Sequence, residues 1–316
     1  MKNLNKTLFA IGESLIELST DKSLTDASSL DKFYGGDTLT TAISALKLGS
    51  KVGFISRIGM DFFKDYLLES WQEVGLDISH VKPVQGVNGI YMIALGQDTN
   101  EKQSLLYRKK TAATNLSIED ISVEYIQNSS ILYSTGLTQS LSLSAKEAVK
   151  EAFRIAKENN VVTAYDPNFK SHIWSEDEAK EAFEELDEYI DILFINVRHD
   201  SKLIIESSSI DNIMKYLWDK GISTIIVKSA LEKKYYVGYQ GKIEDVNFTN
   251  EEVIDDTGAG DAFNGGVLHA IASGMTPFKA VKFGSIVAGL QTQGVGAIKS
   301  IPNHDDVYKI FKGQND

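Results

Sequence analysis

The segment with the strongest signal reads Asp255-Asp256-Thr257-Gly258-Ala259-Gly260-Asp261, near the C-terminal end of the chain. An apolar helical pattern, Ala262-Phe263-Asn264-Gly265-Gly266-Val267-Leu268, follows it directly. The segment therefore predicts the beginning of a helix, where several amide groups are free and the helix dipole favours an anion. Asp261 would lie in the first turn of that helix, beside any bound anion.

Several interpretations of this segment have to be compared. A dinucleotide fingerprint needs G-x-G-x-x-G after an early strand, and a Walker loop needs a lysine after its last glycine; the segment meets neither condition. A plain helix cap by Asp256 or Thr257 is one remaining interpretation. The other is a phosphate cradle, in which the carboxylate of Asp261 is a base that takes a proton from an attacking hydroxyl.

The composition limits the class of protein. The 316 residues are 42% hydrophobic and 24% charged, which is typical of a globular domain with a sizeable core. A net charge of −12 argues against nucleic-acid or anionic-membrane partners, and the absence of cysteine excludes disulfides and thiolate sites. The five histidines lack zinc-site spacing, and no stretch is long enough to span a membrane. We expect a cytoplasmic protein.

The hydrophobic pattern predicts an α/β fold with a small β appendage. Gly89–Leu95 and Ser104–Arg108 alternate apolar and polar residues around a polar turn at 97–101, which predicts an antiparallel hairpin. From about residue 118 onward, short apolar runs alternate with helical segments, as in a buried parallel sheet. The predicted strands of this part are Ile131–Thr135, Val161–Tyr165, Ile190–Ile195 and Ile222–Val227. Helices are expected at 37–48, 61–74, 258–273 and 277–293, whereas the polar stretch 19–32 reads as a loop.

Polar side chains follow three of the predicted strands. Asp166 and Asn168, Asn196, and Lys228 each stand where a strand ends. Any one of them is explained by the chain leaving the sheet, but ligands of open α/β sheets bind beyond the carboxyl ends of the strands. Together they predict a site at that edge.

The segment 253–263, VIDDTGAGDAF, resembles the C-terminal signature of the ribokinase-like (PfkB-type) carbohydrate kinases. This resemblance implies a single domain over residues 1–316, with a three-layer αβα sandwich, a mostly parallel doubly wound sheet and a small β-sheet lid from about 12–37 and 87–110. It also implies that Asp261 is the catalytic base, with Gly258, Ala259 and Gly260 forming an anion hole.

The resemblance further implies ligands and partners. ATP would be bound with Mg²⁺, Asn196 and Lys228 would contact the nucleotide, and a monovalent cation such as K⁺ would lie near Asp255. A homodimer through the lid is also implied. The chain departs from the family pattern at Asp256, at His199 where a glutamate is usual, and after Lys228, where glycines are usual.

A second resemblance concerns the sugar. Segments 12–18 (GESLIEL) and 34–39 (YGGDTL) are similar to those of 2-keto-3-deoxygluconate kinases within the same superfamily. The substrate contacts that it implies are Gly35, Gly36, Asp37, Tyr91, Arg108, Asn168 and Lys170. Two plainer interpretations stay open: Asp37 as a helix cap after a glycine turn, and Arg108 as part of a solvated cationic strand end with Lys109 and Lys110.

The expected function is therefore transfer of phosphate from ATP to the C6 hydroxyl of 2-keto-3-deoxygluconate. A fructokinase or another keto-sugar kinase is the alternative. A catalytically impaired sugar-binding protein is a more remote alternative. A nicotinamide-dependent oxidoreductase would also have an α/β pattern, but the early G-x-G-x-x-G is missing.

Overall fold

The computed structural model describes residues 7–94, 103–249 and 253–313. The strands are β1 (Thr7–Ile11), β2 (Leu15–Thr20), β3 (Asp31–Gly35), β4 (Lys51–Gly59), β5 (Asp77–Val84), β6 (Gly89–Ala94), β7 (Gln103–Tyr107), β8 (Ile131–Thr135), β9 (Val162–Asp166), β10 (Ile192–Asn196), β11 (Thr224–Ser229), β12 (Lys234–Tyr239) and β13 (Lys242–Asn247). The helices are α1 (Asp37–Lys47), α2 (Lys64–Glu73), α3 (Val123–Gln127), α4 (Gly136–Gln139), α5 (Leu143–Glu158), α6 (Glu176–Glu184), α7 (Asp200–Ile205), α8 (Ile210–Asp219), α9 (Ala259–Ala272), α10 (Pro277–Gln291) and α11 (His304–Gly313).

A large sheet in the order β13-β12-β11-β10-β9-β8-β1-β4-β5 forms the middle layer. The strands from β11 to β5 are parallel to their neighbours, while β12 and β13 pair antiparallel at one end. Successive side chains of a strand point to opposite faces, so Leu8 and Ala10 enter one core and Phe9 and Ile11 the other. Helices α1, α2, α9, α10 and α11 cover the first face, and α3, α5, α6 and α8 cover the second.

A four-stranded sheet in the order β3-β2-β6-β7 forms the lid. Strands β6 and β7 pair antiparallel, which confirms the expected hairpin, although its turn lies outside the described residues. Strand β2 pairs antiparallel with β3 and parallel with β6. The expected αβα sandwich with a lid is thus confirmed. No helix in the described ranges is long and apolar enough to cross a membrane.

Some boundaries and strands differ from the sequence prediction. The stretch 19–32, expected to be a loop, contains the end of β2 and the start of β3. The sequence pattern also gave no sign of β5, β13 or α11. Strands β3, β5 and β13 are edge strands, and β13 is almost wholly exposed. Because an edge strand buries little apolar surface, its sequence carries a weak hydrophobic signal.

Candidate active site

Helix α9 begins in a glycine turn rather than with a capping side chain. Its N-cap is Gly258, whose φ of 78° lies in the left-handed region, and no side chain caps the helix. A Cβ on Gly258 would lie 2.8 Å from the Cβ of Ala297, so the position requires glycine for both backbone and space. The interpretation of Asp256 or Thr257 as the cap is therefore wrong; Asp256 contributes its carbonyl, which accepts from the Ala259 amide at 3.1 Å.

Asp255 stabilises the glycine turn before α9 through hydrogen bonds. Its Oδ1 accepts from the amide and the hydroxyl of Thr257 at 2.9 and 2.5 Å, and its Oδ2 accepts from the Gly296 amide at 3.0 Å. The residue is buried and is not part of the cavity wall described next. Its carboxylate thus has a structural task, and the monovalent cation near it stays a prediction.

The beginning of α9 faces a cavity of about 1090 Å³ between the large sheet and the lid. Gly258, Ala259, Gly260 and Asp261 all line it. In the part of the chain that the structure describes, the amides of Gly258 and Gly260 donate no hydrogen bond to a backbone carbonyl. Free amides at a helix N-terminus are suited to an anion such as phosphate.

Helix α1 is held against the first turn of α9, which brings two aspartates to one cavity. The hydroxyl of Thr41 donates to the carbonyl of Asp261 at 3.1 Å, and that of Ser44 donates to the carbonyl of Ala262 at 3.0 Å. Asp37 is the first residue of α1, so its half-buried carboxylate lines the same cavity as Asp261.

Asp37 does not cap α1. The N-cap is Gly36, with a φ of 128°, and a Cβ there would lie 2.5 Å from the carbonyl oxygen of Glu13. The Oδ2 of Asp37 instead accepts from Nδ2 of Asn168 at 3.2 Å. Asn168 has a left-handed φ of 43°, and its amide donates to Oδ1 of Asp166 at 3.0 Å. Residues that the surrounding structure holds in a left-handed backbone conformation concentrate at functional sites.

The environment opposes ionisation of both aspartates. Burial raises the pKa of Asp261 well above its usual value, and the negative charges of Asp37 and Asp166 raise it further, against the attraction of Lys228 and Lys170. Burial also raises the pKa of Asp37, although hydrogen bonds and the charge of Arg108 oppose that rise. A carboxylate with a raised pKa is a better proton acceptor near neutral pH.

Lys228 places a positive charge beside the beginning of α9. Its Nζ donates to Oδ2 of Asp166 at 2.6 Å and lies 4.0 Å from the position that a Cβ on Gly260 would take. Asn264 donates to the same Oδ2 at 2.8 Å. Burial by itself lowers the pKa of Lys228, but the charge and hydrogen bond of Asp166 outweigh it, so the pKa is raised and the ammonium is kept.

The segment after β10 also reaches the cavity through Asn196, His199 and Asp200. The two carboxylate oxygens of Asp200 accept from the amides of Phe169 and Asn196 at 3.0 and 2.8 Å, so Asp200 joins two strand ends. Burial and the nearby Asp166 raise the pKa of Asp200 to about 6, against these hydrogen bonds. Burial and the charge of Lys170 lower the pKa of His199, which favours its neutral form.

Arg108 lies apart from the cavity wall that holds the other predicted substrate contacts. Its Nη2 lies 2.6 Å from Oε1 of Glu13 and donates to the carbonyl of Leu137 at 2.8 Å, and its Nη1 donates to Oγ of Ser140 at 3.0 Å. It lines a second, neighbouring cavity of about 1000 Å³. Because the side chain is buried and paired, Arg108 is not part of a solvated strand end. Its contact with the substrate stays a prediction.

The structure brings most of the predicted site residues together. Those lining the first cavity are Gly35, Gly36, Asp37, Tyr91, Asn168, Lys170, Asn196, Lys228, Gly258, Ala259, Gly260 and Asp261. Glu17, His172 and Glu13 were not predicted: the first two line this cavity, and Glu13 lies behind it against Arg108. The alternation of Ile16-Glu17-Leu18-Ser19 would have revealed β2 and hence Glu17.

The nine-stranded sheet between helices, the separate small sheet and the cavity between them define a ribokinase-like α/β fold. Residues 5–304 match the pfkB family carbohydrate kinases, and the chain belongs to this family. It is a sugar kinase, a phosphotransferase that acts on a sugar hydroxyl.

Curated relatives and solved structures cover nearly the whole chain. A 5-dehydro-2-deoxygluconokinase of Clostridium beijerinckii is 24% identical over 307 residues, covering 95% of this chain and 90% of the relative. A 2-dehydro-3-deoxygluconokinase of Thermoproteus tenax is 27% identical over 312 residues, covering 97% and 94%. A crystal structure of a putative ribokinase II from E. coli, in complex with ATP and Mg²⁺, superposes with a TM-score of 0.88 at 20% identity, covering 98% and 99%.

Proposed function

We propose that this kinase transfers the γ-phosphoryl group of ATP to the C6 hydroxyl of a six-carbon deoxy keto sugar acid, with 2-keto-3-deoxygluconate as the first candidate. The observation that carries the proposal is that Asp261, the free amides at the start of α9 and Asp37 face one cavity beneath the lid. The names of both curated relatives, which are kinases of deoxy keto gluconates, support the substrate class.

In the proposed reaction Asp261 acts as the general base. As the sugar oxygen forms its bond to the γ-phosphorus, the proton of that hydroxyl passes to the carboxylate of Asp261, and the bond from the γ-phosphorus to the bridging oxygen of ADP breaks. The amides of Gly258 and Gly260 and the ammonium of Lys228 stabilise the negative charge of the transferring group. The lid excludes water, which limits hydrolysis of ATP.

The remaining cavity residues would bind and orient the two substrates. Asp37 and Asn168, joined by their hydrogen bond, present an acceptor and a donor to the sugar hydroxyls. Gly35 and Gly36 let the sugar approach the backbone, and Tyr91 of the lid closes over it. Lys170 is exposed on the cavity wall and offers a point charge to the sugar carboxylate, while Asn196 contacts the nucleotide.

Magnesium fits the cavity as a companion of the triphosphate. In the described ranges no group of His, Cys, Asp and Glu side chains is arranged as a ready metal cage. Mg²⁺ commonly keeps several waters and is held by substrate phosphates and one or two carboxylates. Asp166, Asp200 and Asp256 line the cavity and are the carboxylates available to it or to its waters. When bound, the ion would neutralise charge on the phosphates.

A neutral keto sugar such as fructose is the second candidate substrate. The observation that favours it is the charge of the cavity wall, where the described residues include Glu17, Asp37 and four further aspartates but only two lysines, Lys170 and Lys228. Lys228 is paired with Asp166, and the nearby guanidinium of Arg108 is paired with Glu13. A sugar without a carboxylate would meet no electrostatic penalty there.

A coupled assay of ADP formation tests the proposal. With ATP and Mg²⁺, we expect the highest kcat/KM with 2-keto-3-deoxygluconate or 5-dehydro-2-deoxygluconate, and a lower value with fructose and with ribose. Asp261→Asn is the matched control for activity that does not come from this site. Higher kcat/KM with fructose than with either acid would reject the acid assignment and support the second candidate. Absence of turnover with all of these sugars would reject the sugar-kinase mechanism proposed for this cavity.

A further inference from the structure

A buried ion pair joins the base of the lid to the core behind the active site. Glu13 lies between β1 and β2, and Arg108 follows β7. The Nη2 of Arg108 lies 2.6 Å from Oε1 of Glu13, and the two side chains are only 8% and 6% exposed. Neither residue takes part in the phosphoryl transfer proposed above, so the pair calls for a separate explanation.

The pair leaves polar atoms unsatisfied. Oε2 of Glu13 and Nε of Arg108 are buried and have no hydrogen-bond partner in the part of the chain that the structure describes. Buried polar atoms without partners are rare and unfavourable in native proteins. A guanidinium with an unused donor can accept a further anionic partner, and a carboxyl group with an unused oxygen can carry a proton.

Among the described residues, the charged groups that act on Glu13 are Arg108, from the segment after β7, and Asp37, from α1. Burial raises the pKa of Glu13 to about 7; Arg108 lowers it and Asp37 raises it. Glu13 therefore stands near the balance between its charged and neutral forms at neutral pH, and loss of its cation would favour the neutral form.

The position of Arg108 gives a substrate carboxylate access to it. The second cavity, which Arg108 lines, shares Leu106, His172 and Ile173 with the first cavity, where Asp37 and Asn168 lie. The two cavities therefore meet at these three side chains. A sugar acid that binds Asp37 through its hydroxyls can place its carboxylate at this boundary, with Lys170 on the side of the first cavity and Arg108 on the side of the second.

We propose that the carboxylate of an acidic sugar displaces Glu13 from Arg108, and that Glu13 takes up one proton from water as it is displaced. The inference rests on the proposed function, since it needs an acidic substrate. The charge balances: the guanidinium exchanges one carboxylate partner for another, and the displaced carboxylate becomes a neutral acid. Release of the product returns the proton. Glu13 is then a specificity-determining residue, because a neutral sugar leaves the pair intact.

Calorimetric titration with 2-keto-3-deoxygluconate tests this proton uptake. The binding heat is measured in HEPES and in Tris at pH 8, and in MES and in Bis-Tris at pH 6; the ionisation enthalpies differ within each pair, so that the difference in heat gives the number of protons taken up. From the ionisation balance of a single group, we expect about 0.9 proton at pH 8 and about 0.1 at pH 6. Fructose, which binds beside the same Asp261 and Asp37, is expected to show no uptake.

Two variants assign the proton to Glu13. Glu13→Gln keeps the size of the side chain and is expected to abolish the uptake and to tighten binding of the acid at pH 8 by up to about tenfold, since no ionised carboxylate competes for Arg108. His172→Gln, at the boundary of the two cavities, is expected to retain it. An uptake that persists in Glu13→Gln, or that is lost in a His172→Gln enzyme that still binds the acid, would overturn the proposal.

If Glu13→Gln does not fold, the titrations of the wild-type enzyme still test whether the substrate carboxylate displaces Glu13 from Arg108. Binding of the acid without proton uptake at pH 8 would overturn the exchange while leaving the proposed function in place. Absence of any binding or turnover of both keto acids would instead reject the proposed function itself, and the exchange with it. Failure of the exchange is thus seen as absent proton uptake, and failure of the proposed function as absent binding or turnover.

Discussion

Asp261 lies where burial and two like charges oppose its ionisation, and this environment governs how the enzyme responds to pH. The base acts only when it is deprotonated, so kcat/KM for the sugar is expected to fall as the pH is lowered through the raised pKa of Asp261. A pH profile of kcat/KM for a neutral sugar, which leaves the Glu13–Arg108 pair intact, measures this. A kcat/KM that falls only below about pH 4, as for an ordinary aspartate, would contradict the assignment.

The raised pKa of Asp261 also makes the stability of the fold depend on pH, and rising pH lowers the stability whereas it increases the activity. Because the pKa of Asp261 is higher in the folded protein than in the unfolded chain, the folded state binds the proton more tightly, and stability is lost as the pH rises through the folded pKa. Asp261→Asn removes this loss. Its Tm is expected to exceed that of the wild type at pH 8, and the difference should shrink below about pH 4. A lower Tm at pH 8 would show that the carboxylate stabilises the fold.

Lys228 and Lys170 line the same cavity but differ in burial, so their loss should have different effects. Lys228→Met leaves the buried carboxylate of Asp166 without its cation and is expected to lower the free energy of unfolding by about 3–5 kcal/mol. Lys170→Met, at an exposed position, should leave it nearly unchanged and raise KM for an acidic sugar only. Urea unfolding and steady-state kinetics separate the two. Equal stability losses would contradict this account.

At the scale of elements, the glycine turn before α9 combines a structural and a chemical requirement. Gly258→Ala must adopt a left-handed backbone beside Ala297, which costs about 1–2 kcal/mol before the close contact is counted, so Tm should fall. Gly260→Ala is the matched control: its new Cβ would meet nothing closer than Nζ of Lys228 at 4.0 Å. We expect it to keep Tm but to raise KM for ATP, because the methyl group enters the phosphate site. A Tm loss in Gly260→Ala alone would contradict this interpretation.

The elements differ in how far their sequence predicts them. Buried strands such as β8 were predictable because every residue of β8 is buried, and α1 was predictable because Gly49 ends its periodic pattern. Strand β5 was not, since it is an edge strand that contains Pro83 and alternates irregularly. The local sequence also left open a side-chain cap for α9, because the left-handed φ of Gly258 is a property of the folded turn.

At the scale of the whole molecule, the active site joins residues that are distant in the chain. Local sequence pointed to Asp261 and Asp37 because each lies in the first turn of a helix that follows a recognisable glycine turn. The local sequence could not predict that Glu13 forms an ion pair with Arg108, because that pair forms only when the base of the lid meets the core. Whether a predicted substrate contact such as Arg108 is already paired with a carboxylate thus depends on the tertiary structure.

The lid has an open edge, which supports the proposed homodimer. Strand β7 is an edge strand of the small sheet, and its last residue, Tyr107, is 56% exposed. Exposed edges favour pairing with another strand or chain. Tyr107→Glu is expected to shift a dimer toward monomer in light scattering after size exclusion, whereas Leu231→Glu, at a position that is 98% exposed outside the lid, should not. A monomeric wild type, or an equal effect of both variants, would contradict a dimer through the lid.

The central claim is that Asp261 takes the proton of the sugar hydroxyl during phosphoryl transfer. It is tested most directly by single-turnover formation of phosphorylated 2-keto-3-deoxygluconate, with wild-type enzyme and Asp261→Asn both saturated with ATP, Mg²⁺ and sugar. The account predicts that the variant binds both substrates but forms product about 10²–10⁴-fold more slowly. Product formation by Asp261→Asn at the wild-type rate would contradict it.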